Sequence, residues 1–97
     1  CDLVICLSHL GYKYDGLKVS DMKLAKATSG IDLILGGHTH TFLEKAERVS
    51  NSKGHEVLVN QVGWAGINLG KVDFFMRKST KKRLNLNETD KGFIQIK

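Results

Sequence analysis

Two short apolar runs, residues 2–7 and 31–35, each break off into a histidine-bearing loop, and one helical stretch joins them. This order constrains the chain more than any other feature. Runs of this size are strand length, and an unbroken apolar run suits a strand buried on both faces of a parallel sheet. Residues 11–18 carry Gly, Tyr and Asp and read as a loop. A helix follows. Ser20 is placed as its N-cap, Asp21 in the first turn suits the helix dipole, and Val19 and Leu24 occupy the two positions of a hydrophobic staple. Met22, Ala25 and Ser29 share a face, Leu24, Ala27 and Thr28 lie beside it, and Gly30 fits the C′ position. Strand, loop, helix and strand predict a right-handed crossover between parallel strands.

The second half changes character. Residues 42–49 and 56–62 are strand-like, and the Asn51-Ser52-Lys53-Gly54 stretch between them has turn chemistry, which predicts a hairpin. Gly63-Trp64-Ala65-Gly66 reads as a corner with Trp64 as a core or corner anchor, stacking on a ligand being the alternative. Residues 69–76 are expected as a third strand of this group, 79–82 as a turn and 93–96 as a short last strand. The fold class is therefore α/β: a βαβ unit followed by antiparallel strands.

The crossover has a chemical consequence. Parallel strands joined by one helix often lie side by side, about 4.8 Å apart. His9 follows the carboxyl end of the first and His38 that of the second, so both arrive at the edge where open α/β sheets bind ligands. Gly36 and Gly37 allow the backbone to turn sharply and bring His38 and His40 close to a ligand. His9, His38 and His40 are accordingly the candidate metal ligands, and imidazole suits Zn, Mn, Fe, Co or Ni. Dinuclear hydrolytic sites also want bridging oxygen ligands. Asp2 and Asp32 lie at the amino ends of their strands, and Asp15 sits in the loop after His9 with nothing to fix it. The sequence thus supplies half a site and no catalytic residue of its own.

Composition excludes several other classes. With 97 residues, 41% hydrophobic and 26% charged, the chain is a single globular unit or a piece of one, not a disordered or fibrous segment. No apolar run approaches the roughly 20 residues of a membrane helix. The net charge of +5 is concentrated in part at Lys78, Lys81, Lys82 and Arg83. No aromatics interleave with these charges, so they read as a solvated turn and no nucleic acid polymer is expected as a partner. Cys1 and Cys6 on one strand would stand roughly 16 Å apart on opposite faces, too far for a disulfide, which needs Cα atoms within about 7 Å. Both are expected to be packing residues. Asn60 and Gln61 are expected to serve in structural hydrogen bonds, His55 to be exposed in its turn, and Tyr12 and Tyr14 to wall the site or cover the sheet edge.

The Ser8-His9-Leu10-Gly11 segment, the helix over 20–30 and the run Gly30-Ile31-Asp32-Leu33-Ile34-Leu35-Gly36-Gly37-His38-Thr39-His40 together resemble calcineurin-like metallophosphoesterases of the 5′-nucleotidase group. Asn60-Gln61-Val62-Gly63-Trp64-Ala65-Gly66-Ile67-Asn68-Leu69-Gly70 resembles the segment that follows the HxH motif there, and the similarity spans roughly residues 2–78. The resemblance implies a four-layer α/β/β/α domain with two divalent ions, of which residues 1–97 would be the C-terminal part and whose upstream half is missing. It implies that His9 and His38 share one ion (Zn, Mn, Co or Fe) and that His40 binds its neighbour. The family's DxH, GD and GNH(D/E) segments, which supply bridging Asp, Asn and a catalytic His–Asp pair, are not in this chain.

Metal-assisted hydrolysis of nucleotide phosphomonoesters is the implied activity of the parent, the isolated chain being inactive. Activity on 2′,3′-cyclic nucleotides, or a non-catalytic binding or assembly module on the same scaffold, are the alternatives. The resemblance also implies a periplasmic or cell-surface location. A severed sheet would expose a strand edge and an apolar face, so self-association through the first strand is expected.

Overall fold

A computed structural model describes residues 1–76 in full and the backbone of 91–96. It is a mixed α/β structure. Strands β1 (Ile5–Leu7), β2 (Leu33–Leu35), β3 (Glu47–Ser50) and β4 (Glu56–Asn60) form one sheet in the order β1-β2-β4-β3, with helix α1 (Asp21–Ala27) between β1 and β2 in the chain. Strands β5 (Lys71–Met76) and β6 (Lys91–Ile96) pair antiparallel as a separate ladder. The expected turn at 79–82 and the cations Lys78, Lys81, Lys82 and Arg83 lie outside the described residues. Among the described residues no helix is long and apolar enough to cross a membrane.

The βαβ unit forms as the sequence predicts: β1 and β2 are parallel, with Ile5, Cys6 and Leu7 opposite Leu33, Ile34 and Leu35. Ser20 caps α1, accepting a hydrogen bond from the Lys23 amide at 3.2 Å. The helix is shorter than its pattern, ending at a Thr28 C-cap. This puts the left-handed Gly30 one residue beyond C′. Val19, the outer half of the expected staple, is 55% exposed. Ala25 of α1 is buried with Ile34, Val49, Val57 and Val59, and Cys6, Tyr12, Met22, Leu24 and Ile31 pack around them. This is the core, between one sheet face and the helix. Both cysteines are free, Cys1 exposed and Cys6 half-buried. Cys6 is therefore the packing residue of the two.

Three expectations need correction. β1 is an edge strand, not a doubly buried one: Ile5 and Leu7 are 48% and 80% exposed on the face away from the helix. The hairpin of β3 and β4 is present, with the Asn51 side chain accepting from the Lys53 and His55 amides across its turn at 2.9 and 3.0 Å. β4, however, also runs parallel to β2, with Leu58, Val59 and Asn60 opposite Leu33, Ile34 and Leu35. The strand expected over 69–76 does not join this group but pairs with β6. Periodicity identifies a strand but not its neighbour, and β4 takes the inner place because Val57, Leu58 and Val59 are all fully buried there.

Candidate metal centre

Three parallel strands end level with one another, since Leu7, Leu35 and Asn60 lie in one row across β1, β2 and β4. The sheet continues one residue further: the Ser8 amide donates to the Leu35 carbonyl at 2.9 Å and the Gly36 amide to the Asn60 carbonyl at 2.8 Å. The chain then leaves the sheet as Ser8-His9, Gly36-Gly37-His38 and Gln61. His9 and His38 are exposed and adjacent. Their rings meet edge to face, with centroids 5.0 Å apart and planes at 68°. Nε2 of His9 and Nδ1 of His38 are 3.3 Å apart.

That separation suits a shared ion. A tetrahedron with metal–nitrogen bonds of about 2.0–2.1 Å has an edge of roughly 3.3 Å, which is the spacing of these two nitrogens. Without an ion the same pair makes a hydrogen bond, one nitrogen donating and the other accepting. His40 is placed differently: its ring stacks on Trp64 at 5.8 Å and 13°. Among the described residues no three His, Cys, Asp or Glu side chains are close enough to hold one ion. The geometry joins two of the three candidates and sets the third beside them in the chain but against a different partner.

The carboxylates are elsewhere. Asp32 is buried at the amino ends of the strands, where its Oδ2 accepts from the Val4 amide at 2.9 Å. Asp15 is exposed in its loop. Asp21 is fully buried beneath the edge itself. Its Oδ1 accepts from the Ser8 hydroxyl at 2.5 Å, and its Oδ2 has no hydrogen-bond partner. A Cβ at Gly36 would overlap that second oxygen, so only glycine lets the end of β2 pass over the carboxylate. Burial pushes the Asp21 carboxyl above its ordinary pKa, the Ser8 hydroxyl pulling the other way. Asp21 thus touches the residue before His9 and the first glycine before His38. An acidic first-turn residue looks like a dipole partner in sequence, and nothing in the pattern pairs it with Gly36.

Over 70 residues the chain is 43% identical to the trifunctional nucleotide phosphoesterase protein YfkN of Bacillus subtilis (strain 168). Most of this chain is similar to one segment of a nucleotide phosphoesterase. The match takes in 72% of this chain and 4% of that protein, so the chain spans a small fraction of its relative. No protein-family model matches the chain, and no solved structure matches it.

The loop bearing His38 and His40 is held from behind. Both histidines have left-handed backbones, φ 71° and 51°. The Gln61 side chain bonds to the loop on both sides of them, donating to the Gly37 carbonyl at 3.0 Å and accepting from the Thr41 amide at 2.5 Å. Thr39 ties this loop to the one after His9: its hydroxyl accepts from the Tyr12 amide at 3.0 Å. Tyr12 is half-buried against the core and Tyr14 donates its hydroxyl to the Leu10 carbonyl at 2.8 Å, so they brace the edge. Trp64 is not the corner anchor expected. It is 56% exposed, because Gly63, Ala65 and Gly66 all turn left-handed around it and hold the indole out against His40.

Proposed function

We propose that this chain carries the histidine face of a dinuclear phosphoesterase centre that hydrolyses nucleotide phosphomonoesters in the manner of 5′-nucleotidases. The observation that carries the proposal is the 3.3 Å approach of His9 Nε2 to His38 Nδ1 at the carboxyl ends of three parallel strands. The 43% identity to a protein named as a nucleotide phosphoesterase supports the substrate class. His9 and His38 are the residues that would hold one divalent ion, and His40 the one that would reach its neighbour. Bound divalent ions supply Lewis acidity toward phosphoryl oxygens and a nucleophilic water at neutral pH. The chain's own part is to present unprotonated imidazole nitrogens, oriented by the loops that Asp21, Ser8 and Gln61 support.

Three neutral nitrogens leave two dications poorly neutralised. Asp32 is committed to Val4, and Asp21 lies under Gly36. The proposal therefore assigns the bridging carboxylate and the catalytic pair to protein outside these 97 residues. The coding sequence before Cys1 tests it. In-frame DxH and GNH(D/E) segments are expected there, and a reading frame without them contradicts the proposal. The relative is named trifunctional, and its name does not restrict the phosphoester to a monoester. That supports a second reading, in which 2′,3′-cyclic nucleotides are also substrates, and parallel assays on the two ester types separate the readings.

A further inference from the structure

We infer that Gln61 is a positioning residue for the metal centre, its side-chain amide clamping the loop that presents His38 and His40. The inference rests on the metal reading above. Gln61 is 2% exposed and follows β4 directly, so the sheet fixes its backbone. Its Nε2 donates to the Gly37 carbonyl at 3.0 Å, and its Oε1 accepts from the Thr41 amide at 2.5 Å and the Thr39 hydroxyl at 3.3 Å. The Leu43 amide adds a bond to the Gln61 carbonyl at 3.1 Å. His38, Thr39 and His40 are therefore bracketed by one planar amide.

The bracket matters because of what lies inside it. Left-handed backbone is uncommon for a non-glycine residue, and here two occur within three positions. A free loop would leave that conformation and carry the His38 ring away from His9. The clamp needs a donor and an acceptor on one side chain end. A primary amide has both, glutamate has acceptors alone, and leucine has neither. The Gln61 side-chain bonds go to Gly37, Thr39 and Thr41 rather than to an imidazole, so it acts on the His9–His38 pair through the backbone.

The experiment compares the 97-residue chain with Gln61→Leu, Gln61→Glu and, as a stability control, Val49→Ala, which is buried in β3 away from the edge. Co²⁺ is titrated while the imidazole NMR signals of His9 and His38 are followed, and hydrogen exchange is measured at the Thr41 amide. Gln61→Leu is expected to weaken Co²⁺ binding about 10–100-fold, the usual effect of losing a residue that orients a ligand, and to speed Thr41 exchange. Gln61→Glu keeps the acceptor for Thr41 and loses the donor to Gly37, so it falls between, and it carries the test if the leucine variant does not fold. Val49→Ala lowers the melting temperature and leaves Co²⁺ affinity unchanged. Unchanged affinity in a folded Gln61 variant overturns the clamp while leaving the metal reading intact. No Co²⁺ binding by the unsubstituted chain overturns the metal reading and the inference with it, and Thr41 exchange still shows whether Gln61 holds the loop.

Discussion

At the scale of single residues, the buried carboxylate of Asp21 decides most. It has one short bond from Ser8 and an unpartnered oxygen under Gly36. Its pKa is raised by burial, so folding takes up a proton at this group. The stability it contributes is fully present below its unfolded value of about 3.8 and is lost as pH rises through the higher folded value. Asp21→Asn removes that titration. Its stability relative to the parent chain is expected to rise between about pH 4 and about pH 7. Urea denaturation at both pH values measures this, and an equal difference at the two would contradict it. His9 and His38 were legible in the sequence because chain order alone sends both to one sheet edge. Asp21 was not, and Gln61 was legible as a structural hydrogen-bonding residue but not as the one that holds the His38 loop. Each meets the histidine loops through a contact between residues distant in sequence, and local pattern carries no trace of that.

At the scale of elements, the end of β2 crosses Asp21 where no side chain fits. Gly36→Ala is expected to cost about 1–3 kcal/mol, the range for forcing an extra carbon into a packed place, read from chemical denaturation midpoints. Adding Asp21→Ala should restore part of the loss, since the two sites are in contact and couple. Strictly additive losses would show that the overlap is relieved elsewhere. The helix N-cap, the β3–β4 turn and the parallel β1–β2 pair were readable because each depends on local chemistry or on chain order. The parallel pairing of β4 with β2 was not, because an apolar run fits several neighbours equally well. That pairing brings Gln61 to the edge, so the loop that Gln61 bonds was hidden together with the pairing.

At the scale of the whole molecule, the described part of the chain brings two histidines together and gathers no group of three possible ligand side chains. Hydrolysis of 5′-nucleotides by the 97 residues alone, with Mn²⁺, Co²⁺ or Zn²⁺, is expected to be negligible. Robust turnover that disappears in His38→Ala would refute the half-site. Among the described residues the sheet also leaves β1 without a second neighbour, with Ile5 and Leu7 exposed. A groove of about 460 Å³, lined in part by Ile5, Leu33, Leu35 and Leu69, runs along the face away from the helix. Unpaired edges with apolar side chains pair with other chains, so sedimentation at rising concentration should show self-association that Leu7→Lys suppresses. A monomer throughout would contradict this.

On the function proposed above, His9 and His38 bind one ion between them. The most direct measurement is a Zn²⁺ titration followed by the imidazole nitrogen signals of both residues. Both signals should move together and saturate at one ion per chain, and the effect should vanish in His9→Ala and in His38→Ala alike. Signals that respond independently, or binding that survives either substitution, would contradict the account.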